Sequence, residues 1–222
     1  LFCWKTWVEE VILSFLLVTG LVAKTFAASS DFEGFYIAVE ASANGAAVDG
    51  THTDADSKVT KGTAGAVSPT VGVEAGWSIA ISDVFFITLN ATSIPFDASF
   101  KADDAVSADD VTVTMSDMIE VNLEPSFAVT SNSAIFLSVG RSEFELKASG
   151  TGLDATQKFD LTGDSFGMGT KTITDGGLYI KTEVGMTDYD GFTLAGVGTN
   201  DGTAVISGIE TAYGAITIGK KF

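Results

Sequence analysis

The chain has 222 residues, with 29 Asp and Glu against 12 Lys and Arg, and a formal net charge of −17. This length suits one domain of sheet or barrel type, and so acidic a balance argues against nucleic acid and anionic surfaces as partners. Its 24 glycines, 16 phenylalanines and only three prolines favour strands joined by tight turns.

An apolar run close to the N-terminus, Val11 to Ala23, predicts a secretory signal peptide. The run is shorter than the roughly 20 apolar residues that a membrane helix needs. The small residues Thr25 and Ala27 place the cleavage after Ala27. We therefore predict residues 1–27 as a signal peptide and residues 28–222 as the mature domain, with a buried hydrophobic helix as the alternative for the first segment.

Beyond residue 30 the apolar residues recur with a period of two, which is typical of strands. In one segment Val71, Val73 and Trp77 share a face, while Glu74 lies on the opposite face. Segments with this character lie at about 34–48, 64–81, 84–100, 110–129, 134–149, 158–173, 178–193 and 203–222. Short turns between them alternate with longer polar connections at 49–63, 101–109, 150–157 and 194–202. In an up-and-down barrel, this alternation puts the short turns and both termini at one end.

Period-two strands suit either a soluble sandwich or a membrane barrel, which turns its apolar faces to lipid and its polar faces to the lumen. The segments run about 15–20 residues, against a usual five or six in soluble proteins. A tilted membrane crossing takes only about 9–11 of them, and a closed barrel pairs every backbone group, as lipid requires. The sequence predicts an all-β, eight-stranded, antiparallel up-and-down transmembrane β-barrel. A soluble exported β-sandwich is the alternative.

Aromatic residues near the ends of the segments predict two girdles at the membrane interfaces. Ordinary core aromatics are the alternative interpretation. The predicted girdle near the short turns contains Phe35, Trp77, Phe85, Phe127, Phe136 and Tyr179, and the girdle near the long loops contains Phe96, Phe144, Phe159, Tyr189 and Phe192.

The last segment reads AYGAITIGKKF, with Ile216, Ile218 and Phe222 on one face. A final strand that ends on an aromatic residue resembles the assembly signal of bacterial outer-membrane barrels, although Lys220 stands where an apolar residue is usual. Residues 31–222 resemble the small eight-stranded outer-membrane barrel family, which includes the OmpA transmembrane domain and the opacity-type surface proteins. The resemblance implies location in the bacterial cell outer membrane. It also implies outer-membrane lipid, lipopolysaccharide and the barrel-insertion machinery as partners.

Charged residues fall on the predicted inner faces of the strands. In a narrow lumen, charges must pair or be hydrated. One interpretation is a structural ionic plug, which the small interior of an eight-stranded barrel favours. The other is a gated, cation-preferring pathway. The predicted lumenal charge network consists of Glu40, Glu74, Glu120, Arg141, Lys181 and Glu183, with the direction of the Arg141 face left open because apolar residues share it.

The predicted long loops are acidic, and solvated loop charge is the simplest interpretation. Carboxylates there could instead bind Ca²⁺ or Mg²⁺ between lipopolysaccharide and protein, although no EF-hand spacing is present. The acidic loop residues are Asp49, Asp54 and Asp56 in the first loop and Asp103, Asp104, Asp109 and Asp110 in the second.

The sequence contains no recognisable catalytic constellation. His52, the only histidine, lies in the first predicted loop without the spacing of any enzyme motif. The only cysteine, Cys3, lies in the predicted signal peptide, so we expect no disulfide and no thiolate metal site in the mature domain. We also predict no other metal site and no cofactor. We predict a structural or surface-interaction role through acidic extracellular loops, with an unidentified loop partner. The alternative is a narrow channel for ions or small solutes, and a lipid-modifying enzyme is a distant third.

Overall fold

The computed structural model describes residues 28–54, 56–95, 97–103, 110–151, 153–197 and 202–222. The predicted signal peptide therefore lies outside the described residues. A 3₁₀ turn at Ser29–Phe32 precedes ten strands: β1 (Gly34–Thr53), β2 (Val59–Ala80), β3 (Phe85–Ile94), β4 (Ala98–Asp103), β5 (Asp110–Thr130), β6 (Ser133–Ser149), β7 (Gln157–Ile173), β8 (Leu178–Tyr189), β9 (Phe192–Val197) and β10 (Gly202–Lys221). In the described part of the chain, no helix is long and apolar enough to cross a membrane.

The strands form one antiparallel ring. Its order is β1-β2-β3-β5-β6-β7-β8-β10, and the pairing of β10 with β1 closes it. The two short strands continue two members of this ring after a break. Strand β4 follows β3 along the chain and pairs with β5, and β9 follows β8 and pairs with β10. The prediction of an eight-stranded, up-and-down, all-β barrel is confirmed.

The first two strands are longer than predicted. They stay paired as far as Thr53↔Val59, so the connection between them covers only 54–58 and not 49–63. Glycine, alanine and threonine fill this distal part, and they obscured the period-two pattern because their side chains fit either face of a strand.

The three prolines fall where the ladder tolerates a missing N–H donor. Pro95 lies in the break between β3 and β4. Pro125 lies in a gap of the β5–β6 ladder, which passes from Leu123↔Val139 to Ser126↔Phe136. Among the described residues, Pro69 lies on a length of β2 that pairs with β1 alone, since the β2–β3 ladder starts at Val73.

The apolar faces of the strands point outward. Trp77 is 56% exposed and Val184 60%, whereas Glu74, on the opposite face of β2 from Trp77, is fully buried. A soluble sandwich would bury such apolar faces, so this inversion identifies a barrel that spans a membrane. In its lower part, the outer surface is a continuous apolar belt that includes Phe35, Val73, Leu89, Val121, Val139, Met168, Ile216 and Phe222.

A row of charges on the outer face marks the extracellular edge of this belt. Arg141 lies opposite Asp164, Asp164 opposite Asp188, and Asp188 opposite Glu210 across three successive ladders. Charged groups facing outward are costly within the hydrocarbon and cheap near the interface, so β6, β7, β8 and β10 leave the lipid close to these residues.

The girdle prediction was partly wrong. Phe35 and Trp77 do lie on the outside, but Phe136, Phe144, Tyr179 and Tyr189 are buried within the barrel. Their positions along the strands fit an interface, whereas the alternation of side chains directs them inward. Phe96 lies outside the described residues.

Two apolar clusters close the interior at its ends. In the periplasmic cluster, Phe32 stacks on Phe86 with ring centroids 4.7 Å apart, and Tyr36 stacks on Tyr179 at 4.3 Å. Polar residues fill the layer between the clusters. The periplasmic cluster consists of Phe32, Tyr36, Ala38, Phe86, Ala128, Ala134, Ile173 and Tyr179. The extracellular cluster consists of Phe144, Leu146, Ala148, Leu153, Leu161, Tyr189, Leu194 and Ile209.

Glycines on the inner faces make room for large rings on the neighbouring strand. Gly185 lies directly opposite Tyr213, and a Cβ atom there would come within 2.5 Å of the tyrosine ring and 2.8 Å of the Phe166 carbonyl oxygen. Tyr36 and Tyr189 cover Gly76 and Gly163 in the same way. Packing of an aromatic ring over a strand glycine compensates for the missing side chain.

We expect Gly185→Ala to lower the free energy of unfolding by about 1–3 kcal/mol, because the methyl group overpacks the interior. The matched control is Gly214→Ala, since a Cβ atom at Gly214 would meet nothing within 4 Å. Denaturant unfolding in lipid vesicles, followed by Trp77 fluorescence, measures both variants. Equal stabilities of the two variants would contradict this packing.

Candidate functional site

The centre of the interior is organised by Lys181 of β8. Its Nζ atom lies 2.5 Å from Glu74 Oε2, 3.2 Å from Glu124 Oε1 and 3.2 Å from Glu183 Oε2. All four side chains are at most 3% exposed. An ammonium group has three donors, so three carboxylates from β2, β5 and β8 satisfy it completely.

A second lysine extends the network toward the periplasmic cluster. Lys171 Nζ lies 2.6 Å from Glu124 Oε2 and donates to the Thr88 and Ser126 hydroxyls at 2.8 and 3.2 Å. The same ammonium lies 4.8 Å from the centroid of the Phe136 ring. The two lysines thus share Glu124, and the cation–π contact stabilises the charge next to the aromatic layer.

Tyrosine hydroxyls complete the network at both ends. Tyr36 donates to Glu74 Oε1 at 2.6 Å, and Tyr213 donates to Glu183 Oε1 at 2.9 Å. Buried carboxylates with such charge-assisted bonds are held in one geometry. The network links β1, β2, β5, β7, β8 and β10, so it ties distant parts of the ring to each other through the lumen.

A small polar cavity lies between this network and the extracellular cluster. Its volume is about 20 Å³, which is room for about one water molecule. Glu40 and Glu120 line it together with Glu183. Thr217 donates to Glu40 at 3.4 Å and Asn122 to Glu120 at 2.8 Å. Carboxylates therefore outnumber ammonium groups in the described interior.

No protein-family model and no curated protein matches the chain. Among solved structures it is similar to the outer membrane protein OprG from Pseudomonas aeruginosa, with a TM-score of 0.51 and 14% identity over 86% of this chain and 96% of that one. It is also similar, at TM-scores of 0.44, to two further proteins. These are the attachment invasion locus protein Ail of Yersinia pestis, with 12% identity over 86% and 99% of the chains, and Neisserial surface protein A, with 14% identity over 86% and 100%.

The chain has the fold of the small eight-stranded outer-membrane β-barrels. With its apolar belt turned to lipid, it is a protein of the bacterial outer membrane. In this barrel, Glu74, Lys181 and Glu183 lie together in the interior, and Glu40 and Glu120 face the cavity beside them.

The lumenal placement of Arg141 was wrong. Its side chain is 67% exposed on the outside of β6, where it donates to the Thr162 hydroxyl at 3.1 Å and lies 3.8 Å from Asp164. The reason is alternation along the strand: Arg141 lies two residues after Val139 and therefore on the same, outward face. At the edge of the belt a guanidinium can reach water, and in the packed lumen it would need further carboxylates.

Sequence reasoning missed Glu124 and Lys171. Glu124 has the same parity as Glu120 in β5, so alternation alone was sufficient to place it inside. Lys171 was harder to find, because threonines and glycines fill both faces of β7 and weaken its pattern.

The predicted assembly-signal residues lie on the outer face of β10. Ile216 and Ile218 are 53% and 52% exposed, and Phe222 stacks against Phe35 with centroids 6.1 Å apart. Lys220 bends away from the belt, and its ammonium donates to the carbonyl oxygen of Gly176 in a turn. This contact accounts for a lysine at an otherwise apolar position. Recognition of these residues by the insertion machinery stays a prediction.

Most of the first predicted loop, 49–63, is strand in the structure. His52 lies in β1, paired with Thr60 and Ala204, and not in a loop. Asp49 accepts a hydrogen bond from Thr63, and Asp54 accepts one from the Lys58 backbone N–H. Asp104 and Asp109 lie outside the described residues. In the described part, no group of three or more His, Cys, Asp or Glu side chains is arranged to hold a metal ion.

We expect Lys181→Met to destabilise this barrel by about 3–5 kcal/mol, because it leaves three buried carboxylates without their shared cation. Lys220→Met is the matched control, and its exposed lysine contributes about 1 kcal/mol or less. Urea unfolding in vesicles measures both. If Lys181→Met lowered the free energy of unfolding no more than Lys220→Met does, the buried network would not stabilise the barrel as expected.

Proposed function

We propose that this protein is a closed outer-membrane barrel that acts through its extracellular surface and not through its lumen. One observation carries this proposal: side chains close the described interior at both ends and at its centre. Apolar clusters lie at both ends, and ion pairs occupy the middle. A polar cavity between the ion pairs and the extracellular cluster has room for about one water molecule.

The ion network supports closure because opening a pathway would separate Lys181 from carboxylates on several strands. Breaking a buried ion pair costs several kcal/mol per uncompensated charge. Lys171 adds to this cost, because its ammonium lies between Glu124 and the Phe136 ring. The same contacts that stabilise the barrel therefore keep its lumen closed.

The extracellular surface is the part left for interaction. Beyond the charged row, β1 and β2 continue as a long hairpin, and β10 stays paired with β1 as far as Thr53↔Thr203. The exposed charged residues of this hairpin include Asp49, Asp56, Lys58 and Lys61. The chain as a whole carries a net charge of −17. A protein with this net charge attracts cationic partners and repels anionic ones. We further propose residues 1–27 as the export signal, and lipopolysaccharide and the insertion machinery as the partners met on assembly.

A narrow cation pathway is the second candidate. Glu40, Glu120 and Glu183 surround the cavity, and carboxylates exceed ammonium groups there. A lumen with this excess would prefer cations if it opened. The two candidates differ in whether the barrel conducts.

We expect the purified barrel to show no steady single-channel openings in planar bilayers. Phe86→Ala combined with Phe144→Ala, which truncates one ring in each cluster, should produce measurable cation conductance. Truncation of two outward rings, Phe127→Ala with Phe166→Ala, is the control and should stay silent. Gel mobility before and after heating verifies that each variant folds.

Steady openings of the unmodified barrel would overturn the closed-barrel proposal and favour the narrow cation pathway. Openings in the outward-ring control would show that any loss of packing creates leaks. Should the interior variant fail to fold, the unmodified barrel still decides between the two candidates.

We expect neutralisation of three hairpin carboxylates, Asp49→Asn, Asp54→Asn and Asp56→Asn, to weaken retention of nanodisc-embedded barrels on polylysine beads. The matched control neutralises three interior carboxylates, Glu40→Gln, Glu120→Gln and Glu183→Gln, and should keep full retention. The effect should shrink with added salt, because salt screens exposed charges. Equal losses for both sets would speak against the hairpin as the interacting surface.

A further inference from the structure

A groove of about 520 Å³ opens on the outer wall of the barrel, across β5, β6 and β7. Its origin is a bulge in β5, where the register passes from Ser116↔Glu145 to Ile119↔Glu143. Asp117 lies within the bulge at φ 55, a left-handed conformation that Asp tolerates better than most residues. Two residues face one across the ladder, so the wall bends and leaves a recess.

The groove crosses the edge of the apolar belt. Its β5 side is formed by Ile119 and Val121, which are 53% and 45% exposed on the outer face. Directly opposite them on β6 lie Glu143 and Arg141, and Arg141 belongs to the charged row. A molecule in the groove would therefore contact apolar side chains of β5 and charged side chains of β6 at the same time.

Four carboxylates line the groove. Glu145 is paired with Lys158, at 2.8 and 3.0 Å, and Arg141 is directed toward Thr162 and Asp164. The other lining carboxylates are Asp117, Glu143 and Asp160. Among the described residues, none of these three has an ion-pair partner.

The groove already stabilises one ammonium group at its rim. The hydrogen bond and charge of Glu145 raise the pKa of Lys158 above its ordinary value, and the charges of Asp160 and Asp117 act in the same direction. Lys158 lies beyond the charged row, outside the membrane-spanning part of β7. The local field therefore favours a primary ammonium and disfavours an anionic headgroup.

We propose that this groove binds a cationic amphiphile, with its ammonium between Glu143 and Asp160 and its alkyl chain along Ile119 and Val121. The charge complementarity and the apolar β5 side of the groove select this occupant together. An anionic lipid would need a bridging divalent cation in the same place. The inference goes beyond the proposed function and does not depend on whether the lumen conducts.

The test uses the mature barrel in phosphatidylcholine nanodiscs at low ionic strength, with dodecylamine as the probe. Methyl NMR shifts of Ile119 and Val121 report occupancy of the groove. The variant Glu143→Gln with Asp160→Asn should weaken binding roughly tenfold, since it removes both carboxylates that face the ammonium. Added salt should weaken binding to the unmodified barrel.

The matched control is Asp188→Asn with Glu210→Gln, two outward acids of the charged row that lie outside the groove. It should bind dodecylamine as the unmodified barrel does. Equal weakening by both variants would overturn the proposal, because it would mean that surface charge acts without a site. Tighter binding of dodecyl sulfate with Mg²⁺ than of dodecylamine would also overturn it, in favour of a lipid phosphate bridged by a cation. In both cases the closed-barrel proposal would stand.

Discussion

The pairing of β10 with β1 is the constraint on which the rest of this structure depends. It runs from Tyr36↔Lys221 to Thr53↔Thr203 and turns an open sheet into a ring. Within lipid, an unpaired N–H or C=O group has no water to bond, so an open edge there costs several kcal/mol per group. Once the ring is closed, each side chain faces either lipid or the lumen, and the faces that are turned to lipid must be apolar.

Closure also limits what the interior can hold. Eight strands enclose a space that side chains nearly fill, so every inward ring needs a gap on a neighbouring strand and every inward charge needs a partner. The tyrosine–glycine pairs meet the first requirement, and Lys181 with its three carboxylates meets the second. Between β7 and β9, a side chain makes the bonds that a neighbouring strand would make. The Gln157 side-chain amide donates to the Ala195 carbonyl oxygen and accepts from the Ala195 backbone N–H.

Alternation predicted the faces well where one parity is strictly apolar. Val71, Val73 and Trp77 of β2 are all exposed to lipid, and Glu74 is buried. It failed in β6, where the inner face carries Phe136, Phe144 and Leu146 and is as apolar as the outer one. When both faces of a strand are apolar, alternation does not show which face points to lipid. For this reason Arg141 was predicted in the lumen, although it lies at the outer interface.

The sequence by itself determined the eight main strand segments, their antiparallel order, the short turns and the outward direction of the strictly apolar faces. These depend on period, on turn residues and on length, all of which are local. Only the tertiary structure decided which polar side chains meet: Lys181 and Glu74 are 107 residues apart, and Lys171 and Thr88 are 83 apart. Those contacts depend on the register around the whole ring. A bulge such as the one at Asp117 shifts that register by a residue, and no local pattern records the shift.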